Sequence, residues 1–439
     1  MVLLVKALYL FHFLLDVHFC SHYKEREQNK IIRQKTMKHR ESSGPDKGLA
    51  PRSNPLTPVA LKSGKADRYR HRVDRAQSEA AKARGYRRGR GSAEGPKGRF
   101  ELQEHVAFDD GWGSEQVRFE DLIARPTTVS EDRAKSVLTF NQSPDLGFDR
   151  SVNPYRGCEH GCTYCYARPT HAFMGLSAGL DFETKLFAKY DVAPLLEDAL
   201  RKPDYRVAPI ALGTNTDPYQ PVERDLKLTA SILTVLDRCN HPTTIVTKSA
   251  GILRDLDRLH AMARRGLVQV GISVTTLDPE LSRLMEPRCS SPAKRLDAIA
   301  QLSDAGIPVR VMASPMIPGL NDSELEGILG AAREAGARAA SMIPLRLPLE
   351  VKDVFGDWLL ANFPDRAKRV MSQVTSLHGG RTYNAAFGER MRGSGPLAHI
   401  LRQRFKVACQ RLGISEHLPP LNAAAFERPE RPGDQLSLL

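Results

Sequence analysis

The chain is poor in several features that would class it at once. Its 439 residues include two tryptophans and only 7% aromatics. Seven cysteines are too few, and odd in number, for the disulfide scaffold of a small secreted domain. An apolar run able to span a bilayer is missing as well. The nearest approach, residues 1–20, is interrupted by Lys6, His12, Asp16 and His18, whereas a spanning helix needs about 20 consecutive apolar residues. The same stretch lacks a clear basic start and a small-residue cleavage site, so it reads poorly as a signal peptide. The alternative is that residues 1–36 are a start-site artefact and Met37 is the true first residue. Membrane attachment is not expected, and the location expected is the cytoplasm. Hydrophobic residues at 41% and charged residues at 26% exclude collagen-like and wholly disordered chains.

What the chain has in excess is positive charge, a net of +13. The excess is local: residues 1–100 hold 23 Lys+Arg against 9 Asp+Glu, leaving the rest at −1. The densest piece runs from Arg84 to Gly91 and contains Tyr86 among its arginines and glycines. With no sustained apolar period, residues 1–100 are expected to form a disordered basic arm, because they bury too little surface to offset ordering entropy. Such an arm suits nucleic-acid phosphates through counterion release. Service as a solubilising tail is the equal alternative.

After a lead-in over 101–147 the texture changes. Short β-rich runs near 151–153, 207–212, 243–247, 267–274, 308–313 and 338–343 alternate with helical stretches near 192–202, 226–239, 252–264, 292–305 and 323–335. The last opens with Ser323 and Glu326 in capping-box spacing. Alternation of this kind predicts an α/β fold built from parallel βαβ units. Six repeats suit a partial (β/α)6 TIM-type barrel, here over 148–345. Residues 346–439 read as a helical C-terminal extension.

Chemistry concentrates in one loop. Cys158, Cys162 and Cys165 fall within eight positions as C-x3-C-x2-C. Thiolates this close can converge on one metal centre, and three of them leave a coordination position of an iron–sulfur cluster open. Zinc on the same cysteines with His160 is the alternative; structural zinc sites more often use two separated C-x2-C pairs, and no second pair is present.

This loop resembles that of the radical S-adenosylmethionine (SAM) superfamily, and the run Thr216-Asp217-Pro218-Tyr219-Gln220-Pro221, with Glu223, is similar to its spore photoproduct lyase-like (DNA repair photolyase-like) branch. The resemblance covers roughly residues 148–345. It implies a [4Fe–4S] cluster on the three cysteines and reductive cleavage of SAM to a 5′-deoxyadenosyl radical. By the same resemblance Tyr164 packs near the adenine, and Thr216 and Asp217 meet the SAM amino group. Lys248 holds a carboxylate or phosphate, Ser273 touches the ribose, and Arg288 or Arg295 pairs with the SAM carboxylate. Gly319 lies in the turn expected against the adenine. A reductase or flavodoxin-type electron donor is implied as partner, and nucleic acid as a candidate substrate of a lyase-like reaction. The lyase's hydrogen-donor cysteine, some forty residues after the cluster, has no counterpart, because no cysteine lies between Cys165 and Cys239. Cys289, in the loop after the fourth strand, is the candidate donor, while Cys239 reads as a small core residue. Modification of a protein or small metabolite, and a zinc-containing nucleic-acid-binding protein, are the competing readings.

Overall fold

The β-rich runs between residues 138 and 344 build the main sheet. The computed structural model describes residues 90–92, 99 and 126–430. The start-site question at 1–36, the other residues of the basic arm, residues 101–125 of the lead-in and residues 431–439 lie outside the described residues. The strands are β1 (Thr128–Glu131), β2 (Leu138–Phe140), β3 (Arg150–Val152), β4 (Tyr155–Arg156), β5 (Lys185–Ala188), β6 (Ile210–Leu212), β7 (Thr243–Thr247), β8 (Val268–Ser273), β9 (Val309–Met316) and β10 (Ala339–Pro344). Six of them, β3, β6, β7, β8, β9 and β10, lie side by side in chain order and run parallel, and β2 is added antiparallel to β3. A small second sheet joins β1, β5 and β4.

Sequence dictates this through burial. Ile210, Leu212, Ile245, Val270, Ile272, Val309 and Val311 are fully or almost fully buried, as expected of parallel strands covered by crossover helices. The crossovers Val192–Arg201, Leu228–Arg238, Leu256–Arg264, Pro292–Asp304 and Leu325–Glu334 bring Leu196, Ile232, Leu259, Ile299 and Ile328 into the same core. Burying each such side chain contributes about 1.5–3 kcal/mol. The Pro292–Asp304 helix starts where proline is tolerated, and Ser291 caps it by accepting from the Lys294 N–H. Past β10 the chain is helical over Val351–Asn362, Pro364–Leu377 and Gly395–Leu412. None of the described helices is long and apolar enough to cross a membrane.

Several expectations need correction. Residues 207–209 are not strand, and β9 continues to Met316. The capping box at Ser323 does not form. The helix begins at Leu325 without a side-chain cap, because Glu324 turns back to accept from Thr276 Oγ1 and the Leu277 N–H at 2.6 and 2.7 Å. Glu326 meanwhile pairs with Arg404 at 2.6 Å. Residues 90–92, expected in the disordered arm, are buried, since the Glu183 carboxylate takes their backbone donors.

Candidate active site

Parallel strands in chain order bring their C-terminal ends to one edge, where loops supply functional groups. The cysteine loop, 157–167, follows β3 and β4. Residues 213–223 follow β6, Lys248 follows β7, Ser273 ends β8, and Gly319 follows β9. The sequence-predicted residues therefore share one edge of the sheet.

The cysteine loop is fixed by its main chain. Cys158 N–H donates to Phe182 O at 2.9 Å and Thr163 N–H to Met285 O at 3.1 Å. Gln220 is buried behind the loop; its Oε1 accepts from the Glu159 N–H at 2.8 Å and its Nε2 donates to Gly157 O at 3.3 Å. Arg168, just past the third cysteine, donates from Nε to Cys162 O at 2.8 Å and forms a fully buried ion pair with Glu183 at 2.6 Å.

The three cysteines are not equivalent. Cys162 Sγ lies 3.8 Å from Cys289 Sγ. That contact first, and the Lys248 ammonium after it, hold the Cys162 thiol at about 7 against the effect of burial. Burial pushes Cys158 and Cys165 up; burial and the Cys162 contact do the same to Cys289. Among the described residues, no group of three or more His, Cys, Asp or Glu side chains is already drawn together as a metal site. The donor set itself fits a thiolate-ligated cluster. Two buried thiols, Cys158 and Cys162, and the half-buried Cys165 share one loop, feel one another's charge and have a cation beside them. His160, the fourth ligand of the zinc alternative, has its Nδ1 on Asp217 Oδ2 at 3.2 Å, which leaves Nε2 as the nitrogen a metal would use.

Asp217 is fully engaged. Besides His160, it accepts from Thr247 Oγ1 at 2.7 Å, the Lys248 N–H at 2.8 Å and the Tyr219 N–H at 2.9 Å. These four contacts fill the acceptor capacity of a carboxylate. Burial raises its proton affinity, but His160, the donors and their charge outweigh burial and hold the carboxyl at about 2. Within the protein Asp217 thus braces the loops after β6 and β7. Its neighbour Thr216 is buried and donates to Tyr155 O at 3.3 Å.

Arg295 is likewise engaged within the protein. It is 1% exposed and holds a carboxylate, but one of the protein's own. Its guanidinium pairs with Glu286 and donates to Ser273 O at 3.0 Å and Ser290 O at 2.7 Å. Glu286 also accepts from Tyr164 Oη and, at 2.6 Å, from Thr275 Oγ1. Burial raises the Glu286 carboxyl; Arg295, Lys248 and the two hydroxyls lower it below its ordinary value. Arg288 sits at the loop margin, 3.1 Å from Glu159. Lys248 Nζ lies 5.8 Å from the centre of the Tyr164 ring. Cys162, Glu286 and Cys289 keep it protonated despite burial. Ser273 donates to Ser314 O at 3.2 Å. Gly319 opens the turn after β9, with φ +75°. Cys239 is a core residue, as expected.

Sequence reading missed the Glu286 hub and the Arg168–Glu183 pair. Local signal for them is weak: Glu183 sits in the mixed run Leu-Asp-Phe-Glu-Thr yet is fully buried, where an acidic residue survives only with partners.

Residues 152–332 match the Radical SAM superfamily. An uncharacterized protein of Mycobacterium tuberculosis (strain ATCC 25618 / H37Rv) is 38% identical over 247 residues, covering 55% of this chain and 72% of that protein. An uncharacterized protein of Methanocaldococcus jannaschii is 31% identical over 192 residues, covering 44% and 70%. Among solved structures, a spore photoproduct lyase mutant with bound AdoMet and dinucleoside spore photoproduct is 15% identical, with a TM-score of 0.49 over 72% of this chain and 88% of that one.

Proposed function

The chain belongs to the radical SAM superfamily, and from that premise we propose that Cys158, Cys162 and Cys165 hold a [4Fe–4S] cluster at which the protein binds and cleaves SAM. When bound, this pair of cofactors supplies reductive cleavage of the sulfonium to methionine and a 5′-deoxyadenosyl radical. The observation that carries the reading is the triple-cysteine loop at the C-terminal edge of the parallel strands, with Cys158 and Cys162 buried, Cys165 half-buried and a protonated Lys248 beside it. Six parallel strands in chain order support a partial (β/α)6 barrel as its frame.

The protein's own part is to position and to shield. Lys248 offers positive charge to the thiolates and to a ligand carboxylate. The hydroxyls of Thr216 and Ser273 each donate inward, to Tyr155 O and Ser314 O, and so keep lone pairs for a ligand's donors. Tyr164, tied through Glu286 to Arg295, gives a fixed, buried ring on which a base can pack. Arg288 stays at the margin as a further cation for a ligand carboxylate. The six described cysteines are all free, which supports a reducing, cytoplasmic setting. There a reductase or flavodoxin-type protein would deliver the electron.

For substrate class we favour nucleic acid, acted on by a lyase-like reaction of the spore photoproduct lyase-like branch, because the charge excess of residues 1–100 suits a polyanion. Cys289 is then the candidate hydrogen donor, being the thiol nearest the cysteine loop. Anaerobic reconstitution tests the cofactor reading. The expected protein is brown, with about four irons per chain, and forms 5′-deoxyadenosine from SAM under reduction. A colourless protein carrying stoichiometric zinc would overturn it.

A further inference from the structure

The Arg84-to-Gly91 run stands out in the sequence as basic, yet its end does not behave as a charged tail. Arg90 and Ser92 are 5% and 2% exposed. Gly91 N–H donates to Glu183 Oε2 at 2.9 Å, and the Ser92 N–H and Oγ both donate to Oε1 at 3.0 Å. Arg90 reaches the Glu183 carbonyl at 2.9 Å and Thr127 Oγ1 at 3.1 Å. Thr127 in turn donates to Glu159 Oε1 at 2.5 Å, inside the cysteine loop.

Glu183 joins this segment to the loop. Its carboxylate receives Arg168 Nη2, and Arg168 Nε holds the carbonyl of Cys162. The backbones meet as closely as atoms allow. A Cβ on Gly91 would stand 1.7 Å from Gly161 O, and one on Gly161, whose φ is +66°, would stand 2.8 Å from Glu183 Oε2. Only glycine at both positions permits this approach. A solubilising tail has no need of a buried carboxylate with four donors and a contact that excludes a methyl group.

We propose that residues 90–92 form a strap that positions the cysteine loop, so that the chain retains its cluster only while the strap is seated on Glu183. This rests on the cluster reading above. Gly91 and Ser92 are positioning residues; they act through Glu183, Arg168 and the loop backbone. The basic arm thereby has one end anchored at the reaction centre.

The test uses the full chain, reconstituted anaerobically as wild type, Gly91→Ala, Ser92→Ala and Ser92→Thr. The readouts are the rate of iron transfer to a chelator and the electron paramagnetic resonance signal of the reduced cluster with and without SAM. Gly91→Ala should lose iron at least about tenfold faster and show an altered signal. Ser92→Ala should fall between, and Ser92→Thr, which restores the hydroxyl, should recover towards wild type. If Gly91→Ala fails to fold by circular dichroism, Ser92→Ala carries the test, since it adds no bulk. A second measurement is cleavage by trypsin after Arg90, which should be slow in the iron-loaded chain and fast once iron is removed. Folded variants with wild-type iron retention and signal would overturn the strap, as would equal cleavage after Arg90 with and without iron. A wild-type chain that takes up no iron would instead overturn the cluster reading, and the strap with it.

Discussion

Replacing Arg295 by methionine tests whether the hub behind Tyr164 is a structural keystone. In the native protein the buried Glu286 carboxylate receives Arg295, Tyr164 and Thr275. Methionine fills much of the arginine's volume and removes its charge, leaving an ionised carboxylate with two neutral donors. Breaking a buried pair from one side costs about 3–5 kcal/mol. Lys248 also acts on Glu286, so the lower end, about 3 kcal/mol, is expected. In a chain of this size that is a fall in Tm of about 3–5 °C. The double variant Arg295→Met/Glu286→Gln removes the stranded charge and should recover most of the loss. The pH dependence gives an independent sign. Glu286 is held below its ordinary value of 4.5, so its contribution is present above that pH and lost as the pH falls through the folded value. In Arg295→Met the carboxyl rises above 4.5, and the variant should lose stability as pH increases. Urea unfolding of iron-free, reduced chains from pH 4 to 8 measures both effects. A single-variant cost under about 1 kcal/mol, or a double variant no more stable than the single, would refute the argument.

Three further outcomes follow from the same geometry. Asp217→Asn should cost about 2 kcal/mol at pH 7, because a carboxyl held at about 2 rather than 3.8 stabilises the fold above that window and ceases to as pH falls through it; the variant's acid-unfolding curve should flatten between those values. Cys289→Ala should retain iron and 5′-deoxyadenosine formation, since Cys289 lies outside the C-x3-C-x2-C loop, while changing the fate of a substrate radical, as read by deuterium return to labelled nucleic acid. Replacing Arg84, Arg87 and Arg88 by glutamine should weaken nucleic-acid binding and reduce its logarithmic salt slope by about 3; an unchanged slope would remove the arm from recognition.

Local signals in the sequence were enough for the frame. β-branched runs such as Thr243–Thr247, flanked by apolar-periodic helices, read as strands and crossovers because one face of the strand is buried and the other half-buried. The cysteine spacing points to the proposed reaction centre because the candidate ligands are close in sequence. What escaped were partnerships between distant residues. Ser323 has capping spacing, yet Glu324 finds Thr276 and Leu277 in space. Arg295 reads as a ligand-binding arginine, and only the folded chain reveals Glu286 beside it. Residues 90–92 read as a charged tail because the carboxylate that seats them lies some ninety residues away, at Glu183.

The proposed chemistry depends on Cys158, Cys162 and Cys165 holding one cluster together. The most direct measurement compares wild type with Cys162→Ala after anaerobic iron and sulfide reconstitution, following 5′-deoxyadenosine released from SAM under reduction. Wild type should carry about four irons and release the nucleoside, and Cys162→Ala should do neither. Nucleoside release that survives in Cys162→Ala would contradict the account.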